Sequence, residues 1–327
     1  MIHYNIINCR VLKNMIKFFA AIVIALIIFP ASASASASAS AAPTPTPAIT
    51  ASIRPIAMLI KAVVGSDIPV RVMLSSNVSP HDYELKFSDI RSIKKSDLFV
   101  WVGPELESGL HKAIKNHPSD SIIQLTKMNN INWPELHPEH SHSHKEHGDA
   151  MEGELRGEYN RDPHIWLDPE NSLKVVKELS SILGNRYPKY KNSFDKNVEK
   201  FSLMIIDIDR EMKKKFEQVK DKGFIVVHDG YAHFVEHYGL HQVGIISVIE
   251  GMSSTAKHRA KLAELSVDAA CIFTDPQHNN KIARQLASNY KLKSKELDPM
   301  GQSIDLKHNS FIEFYSDFSN TVLACLE

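Results

Sequence analysis

Five histidines fall within eleven residues at 137–147, in the run HPEHSHSHKEH: His137, His140, His142, His144 and His147. Imidazole is the commonest protein ligand for borderline metal ions, and it changes charge near neutral pH. The whole chain holds 17 histidines in 327 residues, so metal binding is the first chemistry to consider. Yet the run sits among Glu135, Glu139, Glu146 and Asp149 and is followed by GDAMEGELRGE. That composition cannot build a core, and the stretch 135–160 reads as a surface loop. Any ion held there would have to order the chain each time it bound.

Three other histidines differ in their setting. His81 lies in SSNVSPHDYELKFSD, a loop after a short apolar strand. His164 lies in RDPHIWLDPE, just ahead of a helix start, and His228 closes the strand of FIVVHDGY. Ligands of open α/β sheets bind outside the carboxyl ends of strands, so these distant imidazoles could converge. Singly, each is as well explained as a structural histidine. Asp82, Asp162 and Asp229 flank them, as cap, surface or field-setting groups.

The elements that must position these residues follow from pattern. AITASIRPIAMLIKAVVG reads as strand then helix, and IPVRVMLSS as a strand ending near Leu74. SDIRSIKKSDLFVWVG reads as a helix capped by Ser88 and then a strand, and SIIQLT as another strand. Such alternation argues for an α/β lobe with a mostly parallel sheet. At DPENSLKVVKELSSIL the pattern becomes helical, with Asp168 at the N-cap, Pro169 in the first turn and a Leu173, Val176, Leu179, Leu183 stripe. From Pro188, residues Tyr190, Phe194, Val198, Phe201, Ile205, Ile208, Met212 and Phe216 recur at steps of three or four. About 30 helical residues span ~45 Å, longer than a small lobe. A helix bridging two lobes and an ordinary surface helix both fit. Beyond it the strand–helix alternation resumes to the end.

Lys plus Arg and Asp plus Glu number 38 each. No basic surplus points to nucleic acid and no acidic block to a solvating tail. Arg10, Lys13 and Lys17 precede the apolar run at 18–29, and PASASASASASAA follows with small residues in an A-x-A pattern. This reads as a cleavable secretory signal, since twelve apolar residues are short for a membrane span of ~20. The absence of Cys just after the run speaks against a lipid anchor. Cys9 would leave with the signal, and Cys271 and Cys325 would pair as a disulfide in an oxidising compartment. The expected divisions are a signal and cleavage region 1–42, a linker 43–48, an N-terminal lobe 49–186, a linking helix 187–220 and a C-terminal lobe 221–327.

The segments SPHDYELKFSDI, DLFVWVGPELE, PHIWLDPE, FIVVHDGYAHFVEHYGL, CIFTDPQ and LDPMG make the resemblance specific. Their order resembles that of the periplasmic zinc-binding receptors of ABC importers, the ZnuA type of the metal-binding receptor cluster. The resemblance covers nearly all of the chain after the linker. It implies two similar α/β lobes joined by one long rigid helix, with a Zn²⁺ site in the cleft between them. By the resemblance His81, His164 and His228 are the metal ligands. Three imidazole nitrogens suit zinc and leave one tetrahedral position open. Manganese-binding relatives place a carboxylate where this chain has His228, so its imidazole favours zinc over harder cations. Some zinc members carry Glu just before the first ligand, where this chain has Pro80. Water is then the expected fourth ligand, with Asp298 the protein alternative or, in preference, a group orienting an imidazole.

The implied function is capture of Zn²⁺ outside the cytoplasm, in the periplasm, and its delivery to an ABC permease and its ATPase by a monomer that is not an enzyme. The histidine run is assigned to accessory capture, sensing or hand-off to a periplasmic partner. His233, His237, His241, His258 and His278 are assigned to surface or packing. A manganese or iron receptor, a zinc hydrolase, and an adhesin or zinc-storage protein are the alternatives. The hydrolase reading lacks H-E-x-x-H or any identifiable general base.

Overall fold

The structure, a computed structural model, describes residues 47–115, 117–135, 161–247 and 255–327. The signal, most of the linker, Cys9 and the histidine run lie outside the described residues. Among the described residues no helix is long and apolar enough to cross a membrane.

The first half holds β1 (Ile49–Ala51), α1 (Arg54–Val64), β2 (Val70–Val72), α2 (Phe87–Lys95), β3 (Leu98–Trp101), α3 (Ser108–Ile114) and β4 (Ile122–Gln124). Two helices follow, α4 (Pro169–Arg186) and α5 (Lys191–Phe216). The second half holds β5 (Gly223–His228), α6 (Ala232–Tyr238), β6 (Gln242–Ser247), α7 (Ala256–Leu265), β7 (Ala269–Thr274), α8 (Lys281–Tyr290), β8 (Lys293–Glu296) and α9 (Ser310–Leu326). Each half builds a parallel four-stranded sheet, in the orders β2-β1-β3-β4 and β6-β5-β7-β8. The strand order reverses between β1 and β3 in one sheet and between β5 and β7 in the other. The carboxyl ends flanking those reversals are where parallel sheets leave an open crevice.

Helix α5 has 26 residues, about 39 Å at helical rise. Its buried stripe of Phe194, Phe201, Ile205, Met212 and Phe216 keeps the spacing read from the sequence. It packs on α1 and α4 and also on α9, so one helix contributes to the core of both halves. Burying each such Phe is worth about 1.5–3 kcal/mol. Helix α1 is buried nearly all round, with nine of its eleven residues in the core. Its first residue, Arg54, donates to the carbonyls of Gly301 (3.0 Å) and Ile304, which ties the two halves together.

Two local expectations change. Ser88 is not the cap of α2. The helix starts at Phe87, two residues earlier than that cap would set, and Asp89 accepts the Lys86 amide at 2.8 Å. Strand β2 stops at Val72, short of Leu74. The Asp168 cap stands as expected, accepting the Glu170 amide at 2.7 Å. Cys271 on β7 and Cys325 on α9 form a disulfide, both sulfurs in the core.

Candidate metal centre

The second sheet delivers the first ligand candidate. His228 is the last residue of β5 and is buried. Its neighbour β7 ends at Thr274, so Asp275 emerges beside it, across the point where the strand order reverses. Nδ1 of His228 lies 2.7 Å from Oδ2 of Asp275. His164 precedes a single helical turn at Ile165–Leu167. Asp162, two residues earlier, holds it twice, accepting its amide at 2.9 Å and contacting its Nδ1 at 2.6 Å. Oδ2 of Asp162 also accepts the Ala232 amide at the start of α6 (2.9 Å), which pins the His164 segment to the second half. His81 comes from the loop after β2, where Ser79 accepts its amide at 3.3 Å.

The three imidazoles meet. Ring centres of His81 and His164 are 5.4 Å apart, and those of His164 and His228 are 5.3 Å apart. They line a cavity of about 10 Å³ together with Ser79, Pro80, Gln277, His278, Pro299 and Met300. That is room for a single water or ion rather than an organic molecule. Gly230 forms part of the wall by lacking a side chain. A Cβ there would stand 2.3 Å from Nε2 of His228 and 2.7 Å from Cε1 of His164. Both distances are well inside contact, so only glycine lets the backbone pass this close to the two imidazoles.

The cradle is negative. Burial raises the Asp162 carboxyl, but His164 and His233 outweigh it and hold the group well below the usual carboxylate range. Asp275 behaves alike: burial raises it, and the hydrogen-bonding imidazoles of His228 and His278 bring it well below that range. A carboxylate on Nδ1 keeps the proton on that nitrogen and leaves Nε2 as the donor to metal, the usual arrangement behind a histidine ligand.

Asp298 is otherwise engaged. Oδ1 accepts from Gln277 Nε2 and the Met300 amide, both at 2.9 Å, and Oδ2 accepts the Gln302 amide. Gln277 also donates to the Ser76 carbonyl (2.7 Å), joining the His81 loop to the second half. His233 is buried, with Nε2 2.9 Å from the Asp162 carbonyl. His258 reaches the Ile245 carbonyl at 2.8 Å. His237 lies between Asp209 (2.6 Å) and Asp168 (3.3 Å). Glu170 joins that cluster, but the Lys213 ammonium already occupies it, 3.0 Å from Asp209.

His278 is not the surface or packing residue expected. It lines the cavity, stacks on His228 with ring centres 4.5 Å apart, and sets Nδ1 3.1 Å from Oδ1 of Asp275. Asp275 and Gly230 carry no signal of their own in the sequence. They stood in the motifs CIFTDPQ and VVHDGY, but only adjacency of β5 and β7 reveals their work.

Comparisons with known proteins agree with this architecture. The "High-affinity zinc uptake system protein ZnuA" of Yersinia pestis is 28% identical over 293 residues, covering 86% of this chain and 91% of that protein. The protein of the same name from Haemophilus ducreyi is 29% identical, covering 85% of this chain and 93% of its own. The crystal structure of the AdcAII protein of Streptococcus pneumoniae superposes with a TM-score of 0.69 at 22% identity, over 86% of this chain and all of that one. The family described as "ZnuA: Zinc-uptake complex component A periplasmic" matches residues 49–325, and the chain, with its paired parallel sheets and long shared helix, belongs to that family.

Proposed function

We propose that this protein is a high-affinity Zn²⁺ receptor that works outside the cytoplasm, holding the ion with His81, His164 and His228. It delivers the ion to an ABC permease driven by its ATPase. One observation carries the reading: three imidazoles from three separate segments ring a cavity the size of one ion. Each of the two buried ones has a carboxylate on its Nδ1. An all-imidazole donor set selects a borderline cation over manganese. The same cavity has no room for an ester or peptide beside the ion, which counts against a hydrolase. The zinc-uptake relatives support the cargo and the partner class. Export by a cleaved signal, periplasmic residence and the divisions at 186 and 220 belong to this reading. Asp298 then serves to lock Gln277 and the turn at 300–302 rather than to bind the ion.

Because imidazole must lose its proton to bind, protons compete with the ion and acid weakens the complex. Handover requires one ligand to leave, and His81, on the loop that Gln277 tethers, is the partly exposed ligand of the three. A competitive chelator titration of wild type and of His81→Ala, His164→Ala and His228→Ala tests the assignment. Each substitution is expected to abolish tight binding, and wild-type affinity in all three would overturn it.

A further inference from the structure

The geometry points to His278 as the fourth zinc ligand, positioned by the same carboxylate that positions His228; this rests on the reading of the site given above. Asp275 uses its two oxygens on two rings. Oδ2 lies 2.7 Å from Nδ1 of His228, and Oδ1 lies 3.1 Å from Nδ1 of His278. The rings stack nearly parallel, 19° apart. With both Nδ1 atoms turned to one group, both Nε2 atoms lie on the opposite ring edges. Both residues line the cavity. His278 is therefore within reach of an ion held in that cavity.

The turn that carries His278 is built to hold. The His278 amide donates to the Asp275 carbonyl (3.2 Å), and the Gln277 amide to Oδ1 of Asp275 (2.8 Å). Asn280 closes the turn, accepting the Asp275 amide at 2.9 Å and donating to its carbonyl at 2.7 Å. Tyr231 donates to Oδ2 of Asp275 at 3.2 Å. The other occupants of the fourth position are weaker on the same grounds. Pro80 has no donor atom, and Asp298 serves Gln277 and two backbone amides. The rings of His228 and His278 lie only 19° from parallel, with centres 4.5 Å apart. Two imidazoles on one tetrahedral ion aim their in-plane lone pairs at it from about 109° apart, so loading turns the His278 ring out of the stack. Its side chain is 14% exposed, at the rim, where such a swing meets least packing.

X-ray absorption at the zinc edge, on the full chain loaded with one equivalent of Zn²⁺, counts the imidazoles directly. Wild type is expected to show four, and His278→Ala three plus one oxygen. Competitive titration should then show at least about a tenfold loss of affinity in His278→Ala. His278→Phe keeps the ring and removes both nitrogens; it should lose as much, separating ligation from packing. Three imidazoles in wild type, with unchanged affinity in both variants, would overturn the inference. His164→Ala serves as reference. If it loses binding while the His278 variants do not, only the fourth ligand is wrong; if it too keeps wild-type affinity, the proposed function fails with it.

Discussion

Asp275 stands one residue past the end of β7 and places Oδ2 2.7 Å from Nδ1 of His228, the last residue of β5. The two are 47 positions apart in the chain, and the pairing of β5 with β7 alone makes them neighbours. A metal-binding histidine gains twice from such a partner: the ring is fixed in rotation, and the proton is kept off Nε2. Replacing Asp275 with Asn removes the negative charge and one of two acceptor oxygens. Zinc affinity in Asp275→Asn should fall about ten- to a hundredfold, read by chelator competition, with the far-UV spectrum unchanged. An unaltered titration would show that the carboxylate is mere packing.

Gly230 is predicted to tolerate no side chain. The Cβ of an alanine would stand 2.3 Å from His228 Nε2 and 2.7 Å from His164 Cε1, so both rings would have to shift. Gly230→Ala should fold, because the neighbours it meets are rings at a cavity edge, yet lose tight zinc binding. Isothermal titration showing a wild-type site in this variant would show that zinc binding does not need the two rings where they stand.

Glu107 links stability to pH. Its carboxyl is buried at the other reversal of strand order, accepting from Ser52 after β1 and from the amides of Val102 (3.4 Å) and Gly103 (3.0 Å) after β3. Burial pushes its pKa from 4.5 up to about 7, the hydrogen bonds offsetting only part of the rise. The folded state therefore holds this proton more tightly than the unfolded chain. The resulting stabilisation is complete below about pH 4.5 and is lost as pH rises to about 7, roughly 3 kcal/mol across that window. Denaturant unfolding of wild type and Glu107→Gln at several pH values measures it. The difference between the two should drift against wild type from pH 4.5 to 7 and flatten above; a constant difference rules the linkage out.

The disulfide fastens α9, which packs on α5, to β7 of the second sheet. Cys271 and Cys325 are 54 residues apart, and closing a loop of that size stabilises by about 4 kcal/mol in the chain-entropy model. The double variant Cys271→Ala, Cys325→Ala should lose stability of that order in urea while keeping its zinc site, since neither sulfur lies at the cavity. Equal midpoints with and without the bond would contradict this.

The histidine run at 137–147 lies outside the described residues, and its assigned role is accessory. Deleting residues 135–149 should leave one tight zinc equivalent and remove only weaker ones. Loss of the tight equivalent would move the principal site to the run and favour the storage reading.

Much of this protein is legible along the chain. The helical stripe from Phe194 to Phe216 appears as period, because burial on one face of a helix repeats every three or four residues. The cap at Asp168 and the pairing of Cys271 with Cys325 rest on local chemistry and on parity. His81, His164 and His228 stand in motifs distinctive enough to be picked out among 17 histidines. What periodicity cannot express is which strand lies beside which. His278 looks like any loop histidine until β7 is laid against β5, when one carboxylate is seen to hold it parallel to His228. Gly230 looks like a turn residue until two imidazoles close over it. The capping of α2 by Asp89 rather than Ser88 is the same lesson at short range, where a two-residue shift in the helix start decides which side chain meets the free amide. Residue types limited the chemistry to metal binding; the order of strands in the second sheet decided which imidazoles share the cavity, because contact across a sheet depends on neighbours that are remote in sequence.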